Sequence, residues 1–494
     1  GLLYRGDPDH YRVRLARFAS ATPEEVREAG RRWLSVRAYA LHVLPAPART
    51  AAVASDRAAT VDAPPRHPAT FPFVHDATLP GGTRLLVVAR PALPLVQLTL
   101  AFPAGTATDV PGSAGRAWAA VEALPHLPVT PGGPPLADAL AELGGELATG
   151  VDEDFAVLSV SVLSVRAEDA LRLLAGALAA EPTEPVLATA IVRAARRRSG
   201  EAADPILLRE RALACLLGSC PPEGADDISP GALRRFLGTR YHPARTVLAA
   251  AGDVDTARLA KAGGAAFSRA APPALPGPAI PPAGAARRGV AAVVDYPGAT
   301  QAHVLFAQRL PPEVVADPLP ARVVMWALRT RLMENLRQDK GWSNEVYPFR
   351  VDVGPRGALM RFNFAVRTDR TAEALAEIRR EVRRLRDEPV GEEFLASLKS
   401  VVEAQEIADG LTSLERTNGR LLEIARGRLP SGYHAGALSR LAALTPGDVR
   451  NAARRLLDPD ALLWIVAGER TALEAELLVA GIGTVEVFGT RATP

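Results

Sequence analysis

Apolar and polar positions follow the same order of patterns twice along the chain. Residues 155–165 alternate in polarity, which predicts a strand, and apolar residues recur at helical spacing from Ala167 onward. About 200 residues later the same strand pattern returns at 359–368, and a second helical pattern begins at Thr371. Hairpin-like strands that lead into long helices are typical of an α+β fold. The chain is therefore predicted to contain two repeated α+β units.

A second marker supports this period. Helices are predicted to begin at Thr22-Pro23, Ser229-Pro230 and Thr445-Pro446, because an N-cap hydroxyl followed by proline is a helix-start signal. Each of these helices leads into a short apolar segment. The segments predict strands at 39–44, 246–251 and 462–467. A unit of about 210 residues is therefore expected to end three times.

These markers divide the chain. The predicted parts are the tail of a preceding unit at 1–48, a linker at 49–70, a first unit at 71–262, a linker rich in proline and alanine at 263–289, and a second unit at 290–494. Because the chain begins with Gly1 inside a predicted unit, we expect it to belong to a longer or processed polypeptide.

Composition narrows the function class. With 48% apolar and 23% charged residues, the composition is typical of a folded, soluble protein. The net charge is only +3, because 55 acidic residues offset 58 basic ones, and a nucleic-acid partner is not expected. No apolar run of spanning length predicts a transmembrane segment. The excess of arginine over lysine favours a bacterial source with a GC-rich genome, and both cytoplasm and periplasm remain open.

Two cysteines are too few for a disulfide framework or a cysteine-rich zinc module. Cys215 and Cys220 are both predicted to lie on a helix. We expect them to be ordinary buried thiols.

Five short segments carry a resemblance to a known family. They are LPGGTRL at 79–85, FPAGT at 102–106, LGGEL at 143–147, YHPAR at 241–245 and LRQDKGWS at 336–343. Each is weak alone, but their order and spacing over nearly the whole chain resemble the M16 metallopeptidases, which include pitrilysin, insulinase and the mitochondrial processing peptidase. The resemblance implies two homologous M16-type α/β sandwich domains, each a mostly antiparallel sheet with flanking helices. Together they would form a half-clamshell around a chamber in which peptides are cleaved.

The zinc chemistry of that family requires an HxxEH motif on a helix, with a further glutamate from a later helix. The resemblance places the three motif positions on Trp118, Val121 and Glu122, so both histidines and the glutamate are replaced. The later helix, expected at about 186–199, has no carboxylate from 188 to 198. We therefore expect no metal, no cofactor and no catalytic residue in this chain, and zinc in a catalytic partner half.

Two other histidines are weaker candidates for a functional role. Glu122 and His126 are four residues apart, but Pro125 is expected to end their helix, so a metal site there is not favoured. His242 precedes Pro243 and is expected to lie in a structural turn.

One substrate-binding feature of the family is partly retained. In the half opposite the zinc, the family contributes an arginine and, seven residues later, a tyrosine, which are thought to contact the substrate. The arginine falls on Arg337, whereas the tyrosine position is Asn344, with Tyr347 nearby. These three residues are the candidate substrate-binding set. The alternative is that Arg337 is a solvated residue at a helix end that pairs with Glu334.

Three functions are compatible with these observations. The favoured one is a catalytically silent half of an M16-type zinc metallopeptidase, which encloses and positions peptide substrates opposite a zinc-bearing half or subunit. The second is a non-proteolytic scaffold or assembly subunit, like the core proteins of respiratory complexes. The third is an autonomous hydrolase with displaced catalytic residues. The identity of the partner and the metal content of the chain discriminate between them.

Overall fold

The computed structural model describes most of the chain outside the predicted linkers. The described residues are 7, 9–34, 70–109, 113–218, 220, 228–268, 286–287, 289–344, 346–427 and 429–488, without the side chains of 201–203 and 346–349.

Residues 9–34 form a pair of helices, α1 (His10–Ser20) and α2 (Pro23–Leu34). Helix α2 begins where the sequence predicts, because Thr22 and Glu25 cap it reciprocally. The Glu25 carboxylate accepts the Thr22 backbone N–H at 2.8 Å, and Thr22 Oγ1 accepts the Glu25 N–H at 3.2 Å. The strand predicted at 39–44 lies outside the described residues.

The first unit contains six strands and seven helices among its described residues. The strands are β1 (His75–Thr78), β2 (Arg84–Ala89), β3 (Leu95–Phe102), β4 (Glu146–Val151), β5 (Ala156–Leu163) and β6 (Val247–Gly252). The helices are α3 (Arg116–Ala123), α4 (Leu136–Glu142), α5 (Ala167–Ala179), α6 (Glu184–Ala203), α7 (Pro205–Leu216), α8 (Pro230–Arg240) and α9 (Thr256–Ala266). Short 3-10 turns lie at Thr106–Thr108, Leu124–His126, Ser164–Arg166 and Pro243–Arg245.

The second unit repeats most of this order, but it begins with the counterpart of β2 and ends with an additional strand. Its strands are β7 (Val290–Asp295), β8 (Gln301–Leu310), β9 (Val346–Gly354), β10 (Gly357–Arg367), β11 (Leu463–Gly468) and β12 (Thr484–Phe488). Its helices are α10 (Glu313–Ala316), α11 (Leu319–Leu332), α12 (Thr371–Asp387), α13 (Glu392–Val402), α14 (Leu414–Gly427), α15 (Ala437–Ala442), α16 (Pro446–Leu456) and α17 (Arg470–Val479). π-helical turns at Met333–Asp339 and Glu403–Ala408 extend α11 and α13, and 3-10 turns lie at Thr368–Arg370 and Asp409–Leu411.

The two sheets have the same core topology. The first runs β1-β2-β6-β3-β5-β4 and the second runs β12-β7-β11-β8-β10-β9. Equivalent strands pair in the same direction, with β2–β6 and β7–β11 parallel. The first strands differ, since β1 pairs antiparallel with β2 whereas β12 pairs parallel with β7. The predicted α+β class with two repeated units is confirmed. The strands predicted at 246–251 and 462–467 are β6 and β11.

The start of the predicted linker at 263 is wrong, because it falls inside α9. The helix continues to Ala266 because Gly263 and Gly264 allow it to approach the β1–β2 hairpin closely. A Cβ on Gly263 would lie 2.9 Å from a methyl carbon of Leu79, and a Cβ on Gly264 would lie 3.1 Å from Pro80. The two glycines therefore serve close packing and do not begin the linker.

Each unit lends one helix to the sheet of the other. Helix α7 of the first unit packs on the second sheet, where Leu213 and Leu216 join Val294, Leu305 and Ile465 in one buried cluster. Backbone bonds reinforce this contact, since the Leu216 carbonyl accepts the Arg287 N–H at 2.7 Å. The exchange buries apolar faces that would otherwise meet water.

Helix α14 of the second unit makes the reciprocal contact on the first sheet. Its Leu421 and Ile424 pack against Leu86 and Val88. At the centre, the Asn418 side-chain amide donates to the Gln97 carbonyl at 2.8 Å and to Thr99 Oγ1 at 3.1 Å. The two units therefore clasp each other through α7 and α14.

Replacing Asn418 with alanine is expected to lower the free energy of unfolding by about 1–3 kcal/mol, because buried acceptors on the first sheet lose their donor. Glu415→Ala, an exposed position on the same helix, is the matched control and should change stability by less than about 0.5 kcal/mol. Urea unfolding of the full chain measures both. Equal effects of the two substitutions would show that the Asn418 contacts do not hold the clasp.

Cys215 and Cys220 form a disulfide, so the expectation of ordinary free thiols is wrong. The helix that carries Cys215 ends at Leu216, and Gly218 adopts a positive φ of 74° that turns the chain back. This turn brings the two Cα atoms to 3.8 Å. Among the described residues, no helix combines the length and apolar character needed to cross a bilayer.

Candidate functional site

The three positions where the resemblance puts a zinc motif lie on α3, which packs against α6. Trp118 is half-buried, and the Arg197 guanidinium carbon of α6 lies 3.6 Å from its ring centroid. Val121 is buried among apolar neighbours, and Glu122 is half-buried. A cation–π pair therefore occupies the interface in which a histidine pair and a carboxylate would face each other.

Helix α6 presents cations to α3. Arg193 Nη1 lies 2.6 Å from His126 Nε2, and Arg198 donates to the Ala114 carbonyl just before α3. Arginine is permanently charged and has no lone pair to donate to a metal. Within the described ranges, no group of three or more His, Cys, Asp or Glu side chains is placed to hold a metal. The donor chemistry at this interface does not fit zinc.

The weak alternative of Glu122 with His126 is not assembled either. Helix α3 ends at Ala123, as Pro125 predicts, and His126 falls in the following 3-10 turn. Its ring nitrogen contacts Arg193. His242 also behaves as expected, since its Nδ1 accepts the Ala244 N–H at 3.2 Å and caps a 3-10 turn.

Asp109 holds the start of α3. Its carboxylate oxygens accept the Gly115 N–H at 2.9 Å and the Ala117 N–H at 3.0 Å. Burial raises the pKa of Asp109 to about 6, although both backbone bonds and the nearby Arg116 and Arg198 oppose the rise. Asp109 is therefore a structural cap at the edge of the cavity described next.

A cavity of about 1750 Å³ lies between the two units. The first unit contributes Trp118, the β4–β5 turn and parts of α6 and α7. The second contributes the β9–β10 hairpin and α14. Its size and its mixed polar and apolar walls suit a chain segment better than a small molecule.

Ion pairs between the units cross the cavity at the β4–β5 turn. Arg356 of the β9–β10 turn pairs with Glu153 at 2.6 Å, and Arg426 of α14 pairs with Asp152 at 2.6 Å. Asp154 lies between them, and its Oδ1 is buried without a hydrogen-bond donor among the described residues. These contacts fix the position of the edge strand β4 relative to the second unit.

A second charged group lies beside α7. Arg361 pairs with Glu210 at 2.6 Å and with Asp352 at 2.9 Å, and Asp352 also pairs with Arg350 at 2.8 Å. Burial raises the pKa of Asp352 to about 6, and burial also raises the pKa of Glu210. The cavity wall is thus a balanced array of opposite charges.

Asp154 predicts a pH dependence of stability. Burial, with the Glu153 and Asp152 charges, raises the pKa of Asp154 to about 7, against the opposing effect of Arg356 and Arg426. Because the unfolded chain releases this proton first, stability should fall as pH rises from about 4 to about 7. Asp154→Asn should remove this contribution, so its stability relative to wild type should increase over the same window and stay constant above it. Urea midpoints of both proteins across pH test this, and a pH-independent difference would contradict it.

The fold and this geometry agree with one family. Residues 227–402 match the family model described as the Peptidase M16 inactive domain. Over these residues the chain matches the M16 peptidase family. It contains no HxxEH motif anywhere in its sequence.

Solved structures share the M16 fold. The M16 inactive domain from Pseudomonas fluorescens has a TM-score of 0.68 and 21% identity, over 80% of this chain and 98% of that one. The periplasmic protease PqqL from Escherichia coli has a TM-score of 0.65 and 15% identity, over 92% of this chain and 52% of that one. A chain of Complex III2 from Candida albicans has a TM-score of 0.67 and 16% identity, over 84% and 100%. No curated protein matches the sequence significantly.

Two of the three candidate substrate-binding residues, Arg337 and Asn344, do not lie at the cavity. Arg337 is exposed in the π-helical turn after α11, and no ion pair with Glu334 or other side-chain bond is recorded for it among the described residues. Asn344 is exposed as well, and neither residue lines the cavity. The side chain of Tyr347 lies outside the described residues. Their contact with substrate stays a prediction.

Apart from Trp118, sequence reasoning did not find the residues that line the cavity. The Asp152–Glu153–Asp154 run and the arginines of the β9–β10 hairpin belong to turns far apart in sequence, and no motif connects them. The sequence contained one signal for the Trp118–Arg197 pair. The arginine-rich segment at 193–198 lies in the helix that would carry the zinc-binding glutamate.

Proposed function

We propose that this chain is the catalytically silent half of an M16-type zinc metallopeptidase, which encloses and positions peptide opposite a zinc-bearing half or subunit. The observation that carries the proposal is the Trp118–Arg197 stack at the position of the metal site. Zinc chemistry is lost there, while the surrounding two-unit fold and its cavity are kept. Such a chain contributes to proteolysis by binding and orientation.

The cavity and one sheet edge support a peptide as the ligand. Among the described residues strand β4 pairs only with β5, and residues Glu146, Ala148 and Thr149 on it are exposed. An extended peptide can bond to such an edge through backbone N–H and C=O groups, with little dependence on its sequence. The C-terminal end of β4 opens directly into the cavity at Val151.

The test uses an M16 chain from the same organism that carries HxxEH. Adding this chain should increase its hydrolysis of an unstructured peptide, and Arg337→Ala should lower kcat/KM of the mixture without changing the Tm of either protein. Arg470→Ala, another exposed arginine, is the matched control. No binding and no change in hydrolysis with any such partner would refute the proposed function. An unchanged kcat/KM for Arg337→Ala alone would assign that residue to the solvated helix end.

The second candidate is a non-proteolytic scaffold subunit. The similarity to a chain of Complex III2 from Candida albicans favours it. Co-purification of the chain with subunits of a membrane complex, and without any HxxEH-bearing chain, would select this alternative.

We also propose an oxidising compartment such as the periplasm. The Cys215–Cys220 disulfide supports it, because structural disulfides persist in such compartments and are rare in the cytosol. The similarity to the periplasmic protease PqqL is consistent with it. Thiol labelling of denatured chain from intact cells should modify neither cysteine, and labelling of both would contradict this location.

A further inference from the structure

Helix α2 has an apolar face that the N-terminal helix pair does not cover. Val26, Ala29, Trp33 and Leu34 recur at helical spacing, and no residue of α1 or α2 is buried. The helix is nevertheless well formed, with a capping box at Thr22. An amphipathic helix of this kind is stabilised mainly by the surface on which its apolar face packs.

A closely similar helix is α16, and α8 is a weaker copy, and in both the position of Val26 is buried. Residues 22–34 and 445–457 are identical at eight of thirteen positions, and Thr445 forms the same capping box with Asp448. The counterparts of Val26 and Trp33 in α16 are Val449 and Leu456, which are 1% and 2% exposed. In α8 the counterpart of Val26 is Leu233, which is completely buried.

The surroundings of these counterparts identify the surface that α2 would need. Helix α16 packs against α11 and α12, and α8 packs against α3 and α6. In both units one partner is a helix that follows the equivalent strand, α3 after β3 and α11 after β8, and the other partner is one of the helices that follow β5 or β10. An M16-type unit that lacks its own copy of α8 or α16 presents this groove empty.

The flanking cations have counterparts too. Arg454 donates to the Arg386 carbonyl at the end of α12 at 2.8 Å, and Arg455 pairs with Glu313 at 3.7 Å. Arg31 and Arg32 occupy the same positions in α2. Against an equivalent groove Arg31 would meet the negative end of a helix, which is a favourable place for a cation, and Arg32 would meet a carboxylate.

We infer that α2 is a docking helix whose occupant is a further M16-type α+β unit without its own closing helix. The match to PqqL is consistent with this inference. It covers 92% of the chain, which is more than residues 67–494 contribute, so the match extends into residues 1–66. One part of the inference rests on the proposed function, namely that this further unit belongs to the zinc-bearing half.

The test transplants α2 into a groove that is known. In the full chain, Thr445–Leu457 is replaced by the thirteen residues 22–34, in three versions. One is unchanged, one carries Trp33→Leu to match the size of Leu456, and one carries Val26→Asp. The Trp33→Leu version should unfold cooperatively within about 5 °C of wild type. The unchanged version should melt lower because of its larger side chain, and the Val26→Asp version should lose cooperative unfolding of the second unit.

Loss of cooperative unfolding by the Trp33→Leu version, as complete as in the Val26→Asp version, would overturn the inference. A second arm places Val26→Asp in α2 itself, where an unchanged Tm is expected. A lowered Tm would mean that the face packs on the chain's own units, and would also overturn it. The transplanted helix can allow cooperative unfolding even if the chain changes the hydrolysis rate of no HxxEH-bearing partner. That combination would refute the proposed function and support the docking helix.

Discussion

Replacing Arg322 with methionine should destabilise the chain by about 3–5 kcal/mol, because two half-buried carboxylates lose the more deeply buried of the two cations that they share. Arg322 is 6% exposed on α11, and its guanidinium contacts Glu406 at 3.5 Å and also Glu423. Glu423 lies on the clasping helix α14, so the loss should also loosen that helix from the first sheet. Urea unfolding measures the change in free energy, and proteolysis within 414–427 measures the release of α14.

Arg420 compensates the loss of Arg322 only in part, because a single cation then faces two carboxylates. Arg420 reaches Glu423 at 3.2 Å and Glu406 at 3.7 Å. His434 cannot supply a second cation at neutral pH, because burial and the neighbouring arginines lower its pKa to about 3. Arg470→Ala, which breaks an exposed pair with Glu474, is the control and should change stability by less than about 1 kcal/mol. A similar small effect for Arg322→Met would show that the carboxylates are solvated or neutral.

Replacing Leu216 with alanine should cost about 2–5 kcal/mol, because a fully buried side chain leaves a cavity between α7 and the second sheet. The backbone bond from Arg287 to the Leu216 carbonyl is kept in this variant, so the effect reports side-chain packing alone. Leu207→Ala on the same helix is the matched control. Leu207 is 46% exposed, and its loss should cost less than about 1 kcal/mol.

Denaturant unfolding of the two leucine variants therefore tests the helix exchange directly. If α7 packs on the second sheet, the two substitutions differ severalfold in their effect. Equal and small effects would mean that α7 is not clasped in solution.

The repeat could be predicted from sequence because local signals define its parts. Thr445-Pro446 caps α16, and the alternation at 155–165 marks β5, so both elements begin within two residues of their predicted positions. The exchange of α7 and α14 could not be predicted, since it depends on which sheet an apolar face reaches. The disulfide was not predicted because an unbroken helix over five residues would keep Cys215 and Cys220 apart. The turn at Gly218 brings the two cysteines together.

The sequence predicts the loss of the zinc ligands at the candidate site better than it predicts the residues that line the cavity. Loss of the motif at Trp118, Val121 and Glu122 follows from residue types alone, because a metal site requires particular donors at particular spacing. The charged cavity wall follows no such rule. Asp152 and Arg426 meet across 274 positions of sequence, and their pairing depends on tertiary packing.

The metal content of the purified chain tests the central claim most directly. After incubation with excess Zn²⁺ and removal of free metal, we expect far less than one zinc per chain by mass spectrometry of the native protein, and no chelator-sensitive cleavage of an unstructured peptide. The donor set at α3 and α6 is the reason. One tightly bound zinc per chain, with peptide cleavage that a chelator abolishes, would contradict the assignment of a silent half.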